Sequence, residues 1–99
     1  ARSCLPTRAV WITPLLREAV VLQAALADES PALFLCGSGD STFDPAALNR
    51  IQEKRPQARA WIGEGGDHSL EVGSDPVHSI DLLQEYLAAM DAFLTDEML

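Results

Sequence analysis

Basic residues are scarce in this chain. Seven Lys and Arg stand against fifteen Asp and Glu, a formal net charge of −8. A nucleic-acid binder needs clustered cations to meet phosphates, so that class is excluded, and the seven are scattered between Arg2 and Arg59. Cysteine is nearly absent: Cys4 and Cys36 do not make a disulfide framework, which favours a reduced, cytoplasmic protein. No apolar run approaches the roughly 20 residues that cross a bilayer, so no membrane segment is expected. No H-x-x-x-H or C-x-x-C spacing occurs, and no phosphate-binding loop with its lysine. Metal and cofactor are therefore expected to be none.

What is present reads as one globular unit. With 47% apolar and 22% charged residues, the 99 residues suit a single small domain, 1–99, and not a disordered chain. Strand and helix patterns alternate along it. The β-branched run Arg8–Thr13 predicts a strand, and Pro14 is placed to open a helix whose apolar positions run from Leu15 to Leu26, ending at Asp28. Ala32–Cys36 is apolar at every position, as a strand covered on both faces must be; Cys36 is then a buried small hydrophobe. Asp44-Pro45 predicts a cap and first turn for a helix from Ala46 to about Lys54, and Ala58–Ile62 predicts a third strand. Asp75-Pro76 repeats the cap. Beyond it Val77, Ile80, Leu83, Leu87, Met90 and Leu94 predict a long helix with one core-facing stripe, its acids (Asp81, Glu85, Asp91, Asp96, Glu97) solvated. The order β-α-β-α-β-α implies a parallel sheet with helices on both faces, a three-layer α/β fold.

Ligand sites in such sheets lie beyond the carboxyl ends of the strands. Two loops fall there: Gly37-Ser38-Gly39-Asp40 after the second strand and Gly65-Gly66-Asp67-His68-Ser69-Leu70 after the third. An acid and a histidine so placed suit an orienting carboxylate and a general base. Asp44 is explained by its cap, and Asp67 by shaping its loop. His78, at the start of the last helix, reads as structural or exposed. Asp40 and His68 remain as the catalytic candidates. Asp40, Asp44 and His68 could supply metal-ligand atoms, but their spacing does not support it. Asp40 would also repel an anion from the Gly37–Gly39 turn. Of the nearby hydroxyls, Ser38, Ser41 and Ser69, none lies in a G-x-S-x-G elbow, and Ser38 is too close to Asp40 to reach the far nitrogen of His68.

Taken with Ala9-Val10-Trp11-Ile12-Thr13-Pro14-Leu15-Leu16, these two loops resemble the C-terminal half of an α/β-hydrolase, in particular compact bacterial proteins related to dienelactone hydrolase. The resemblance implies that Asp40 is the acid and His68 the base of a Ser-His-Asp triad. It also implies that Trp11–Leu16 is the strand following the nucleophile's helix, so that the serine elbow and the first half of the sheet precede Ala1. The activity implied is hydrolysis of a small-molecule ester, thioester or similar acyl bond, with this chain inactive alone. An unpaired sheet edge would favour a homo-oligomer or association with the missing N-terminal half. The competing expectation is a non-catalytic α/β binding or interaction module.

Overall fold

A computed structural model of the chain describes residues 8–95, and Cys4, Asp96 and Glu97 lie outside them. Six elements alternate: β1 (Ala9–Ile12), α1 (Ala19–Ala27), β2 (Ala32–Gly37), α2 (Pro45–Lys54), β3 (Ala58–Gly63) and α3 (Pro76–Thr95). The strands form a parallel sheet in the order β1-β2-β3. Ala9 pairs with Ala32, and Ala32 with Ala58.

The uninterrupted apolar run of β2 has the predicted consequence: all six of its residues are buried. Ala32, Phe34 and Cys36 face one layer, packed with Leu16 and Ala25 from the first crossover and with Ala47, Leu48 and Ile51 of α2. Trp11 stacks on Phe34 within this layer, ring centroids 5.6 Å apart. Leu33 and Leu35 face the other layer with Leu70 and Phe93, flanked by Val10, Trp61 and Tyr86. The fold is therefore three-layer α/β, with α1 and α2 on one face and α3 on the other.

Two sequence expectations need correction. The first concerns α1, which starts at Ala19 and not just after Pro14. Thr13 adopts φ 42, a left-handed conformation that a β-branched residue rarely takes and that ends the strand abruptly. The chain then makes a separate turn, Glu18 N–H donating to Leu15 O at 2.9 Å, before the helix begins without a side-chain cap. Leu16 remains a core residue from this turn.

The second concerns the face that α3 buries. Leu82 and Phe93 are the buried residues of this helix, with Tyr86, Ala89 and Met90 packed beside them. Of the expected stripe, Val77 is 70% exposed and Leu87 51%; Ile80, Leu83 and Leu94 are exposed as well. The helix is apolar over an arc wider than a three-stranded sheet can cover, and only one flank of that arc reaches the sheet. Arg8 Nη1 donates to Phe93 O and Leu94 O, both at 2.8 Å, which ties the end of α3 to the start of β1.

The predicted caps are present. Asp44 accepts from Ala46 and Ala47 N–H at the start of α2, and Asp75 accepts from His78 N–H at the start of α3.

Candidate functional site

The loops after β2 and β3 are laced together by backbone. Ser38 N–H donates to Gly63 O at 3.0 Å and Gly39 N–H to Gly66 O at 2.9 Å. Gly65 N–H donates to Ser38 Oγ at 2.7 Å. Ser38 is therefore a tether between the two loops. Such close approach requires the absence of side chains: a Cβ on Gly37 would lie 2.7 Å from the Gly66 carbonyl carbon. Glycine in these loops sets the distance between the residues that follow.

Those residues meet. Asp40 Oδ2 lies 2.9 Å from His68 Nδ1, across 28 positions of sequence. The Asp40 side chain is 3% exposed and that of His68 is 56% exposed. The acid is thus held inside while the ring stands at the surface. Because an ionised carboxylate only accepts, Nδ1 must carry the proton, and Nε2 is left as an acceptor when the ring is neutral.

Asp67 performs the loop-shaping role expected of it, accepting from Ser69 N–H at 2.8 Å and from Glu71 N–H at 3.1 Å. Leu70 completes the loop at φ 58, a conformation that costs a branched residue about 1–2 kcal/mol. Burial of its side chain against Leu33, Leu35 and Phe93 offsets that strain and anchors the loop two residues from His68. Asp44 remains at its cap, and His78 is half-buried on α3.

Thr42 was not singled out from the sequence. Its N–H and its hydroxyl both reach Asp40 Oδ1, at 2.8 and 2.7 Å. Its Oγ1 is also 3.4 Å from His68 Nδ1. The only available signal was its place two residues after the acid, where an Asx-type turn brings an N–H back to the carboxylate.

Burial pushes the Asp40 carboxyl up, but the Thr42 hydroxyl, the Thr42 N–H and His68 outweigh it and hold the group below its ordinary value of 3.8. The folded protein thus binds this proton less readily than the unfolded chain. The stabilisation from Asp40 is complete above about pH 4 and is lost as pH falls through the folded-state value. Asp40→Asn is therefore expected to flatten the acid limb of a stability–pH curve measured by urea unfolding. An acid limb unchanged by the substitution would show that the carboxylate is not the titrating group. Behind the site, burial and then the Asp40 charge push the Cys36 thiol up to about 11. A buried thiol so raised is protonated at neutral pH and is not a nucleophile. Among the described residues, no group of three or more His, Cys, Asp or Glu side chains converges as metal ligands, and no helix is long and apolar enough to cross a membrane.

Fold and site together define a parallel α/β unit carrying a buried-acid, exposed-histidine pair beyond the carboxyl ends of adjacent strands. No family model, curated protein or solved structure matches this chain.

Proposed function

We propose that this chain is the proton-handling half of an α/β-hydrolase-type serine hydrolase acting on small-molecule esters, thioesters or similar acyl bonds. The observation that carries the reading is the Asp40 Oδ2–His68 Nδ1 contact of 2.9 Å, made by a buried acid and an exposed ring. In the reaction, His68 Nε2 takes the proton from a serine hydroxyl as that oxygen attacks the acyl carbon, and then gives it to the departing alkoxide or thiolate. Water enters in the second half by the same path, His68 taking its proton and returning it to the serine as the acid is released. Asp40 keeps its charge throughout and steadies the imidazolium through Nδ1–H.

The serine comes from outside these 99 residues, which contain no G-x-S-x-G. Two surfaces support a complementing half. The outer edge of β1 has no partner strand among the described residues. Among the described residues, nothing covers the apolar flank of α3 at Val77, Ile80, Leu83, Leu87 and Leu94. The same two surfaces favour the second reading, an interaction module without chemistry.

The readings separate in one experiment. The coding sequence before Ala1 is expected to specify G-x-S-x-G, and the protein it encodes to be labelled by a serine-reactive phosphonate. Labelling should disappear in His68→Ala, and the 99-residue chain alone should stay unlabelled. Labelling of the 99-residue chain, or an upstream sequence without the elbow, overturns the hydrolase reading.

A further inference from the structure

Asp40 has two carboxylate oxygens, and only Oδ2 meets His68 directly. Oδ1 is occupied twice by one residue, Thr42, through its N–H at 2.8 Å and its hydroxyl at 2.7 Å. The N–H alone closes the turn, so the hydroxyl is not needed for the path of the backbone. Its single proton has two places to go: the charged Oδ1 at 2.7 Å or His68 Nδ1 at 3.4 Å. The shorter contact to an ionised oxygen is the stronger by far. Once that proton is committed, the lone pairs of Thr42 Oγ1 are what face the ring. His68 Nδ1 then looks onto acceptors only, Asp40 Oδ2 and Thr42 Oγ1, with no donor to satisfy it in its unprotonated form.

We propose that Thr42 is a positioning residue for the Asp40–His68 pair: its hydroxyl fixes the carboxylate plane and excludes the tautomer of His68 that carries the proton on Nε2. This deepens the hydrolase reading and rests on it, because the tautomer so selected is the one whose Nε2 can accept a proton from a nucleophile. Thr42 touches no reacting atom and acts through its two neighbours. It also joins the acid loop to the histidine loop at a point where the glycine lacing does not reach. Removing the hydroxyl leaves a buried carboxylate oxygen with one bond fewer and a ring with a single acceptor.

The test is NMR of the 99-residue chain with labelled histidine, which needs neither substrate nor serine. Wild type should show the Nδ1–H tautomer in the neutral His68 ring. Thr42→Val keeps the shape and the N–H but lacks the hydroxyl; the Nδ1 proton should exchange about tenfold faster, the scale of one hydrogen bond to a charged group. The Nε2–H tautomer should gain population, and the Asp40 carboxyl carbon should titrate at higher pH. Thr42→Ser should restore all three readouts, which a role confined to packing would not do. Thr42→Ala gives the same comparison should valine disturb the fold, which the backbone amide spectrum would reveal. Variants lacking the hydroxyl with wild-type tautomer, exchange and Asp40 titration overturn the proposal. Asp40→Asn is the separate control for the reading beneath it: a His68 tautomer indifferent to Asp40 removes the pair itself, whatever Thr42 does.

Discussion

Gly37→Ala is expected to destabilise the protein by about 3 kcal/mol, the upper range for forcing a carbon into a closed site. The added Cβ points at backbone and not at a flexible side chain: the Gly66 carbonyl stands directly in its way, with Asp67 O at 2.9 Å. Gly66 has little room of its own: a Cβ built on it would stand 3.2 Å from Leu82 Cδ1 of α3 and 3.3 Å from Gly63 O. The loop after β3 must therefore lift as a whole, breaking the Gly39–Gly66 and Ser38–Gly65 bonds. Because those bonds set the spacing of Asp40 and His68, the His68 Nδ1–H signal should vanish along with the lost stability. Gly73→Ala is the matched comparison. Its φ of 36 penalises any side chain, but open space surrounds it. About 1 kcal/mol is expected there, with the pair intact. Urea unfolding of both variants measures the difference, and equal costs would show that crowding at Gly37 is not what matters.

Arg55→Met should cost about 3 kcal/mol in the same experiment, although Arg55 is far from the site. This arginine follows α2 and is 5% exposed. Nη1 donates to Ala25 O at 2.9 Å, and Nη2 donates to Ser30 O. Asp28 Oδ2 stands 3.9 Å from Nη2. Ala25 O belongs to the last turn of α1, where carbonyls have no partner within the helix. The guanidinium thus caps α1 from the neighbouring element and fixes the connection into β2. Methionine fills the volume but leaves two buried carbonyls unpaired, at about 1–3 kcal/mol each where water cannot reach them. Arg55→Lys should recover only part of the loss, since a single ammonium cannot reproduce the fork. A cost below about 1 kcal/mol for Arg55→Met would mean that water replaces the cap.

Arg55 also marks where reading the sequence stops. A cation in a post-helix turn looks like any exposed charge, and nothing local says that it reaches back across a crossover. β2 was legible because burial on both faces removes every polar position from a strand. Asp44 and Asp75 were legible because a cap is a local event. Asp40 and His68 could be paired because parallel topology sends consecutive strand ends to the same edge. The face that α3 buries was not legible. Its apolar positions satisfy more than one helical stripe, and the choice depends on how wide a sheet lies beneath. The late start of α1 was hidden as well, since Thr13 gives no compositional sign of a left-handed turn.

Every pairing in the sheet joins distant segments: Ala9 meets Ala32, and Ala32 meets Ala58. Each requires a whole crossover to close first, an entropic delay that slows the folding of parallel sheets. The third strand is the last to be added when the chain grows from its N-terminus, and His68 lies beyond it. During synthesis β2 is thus a fully apolar segment awaiting its second neighbour, the interval in which the nascent chain is stickiest. The arrival of β3 ends that interval and brings the imidazole to Asp40 in the same event. A proton held on Nδ1 is therefore a clock for the docking of β3.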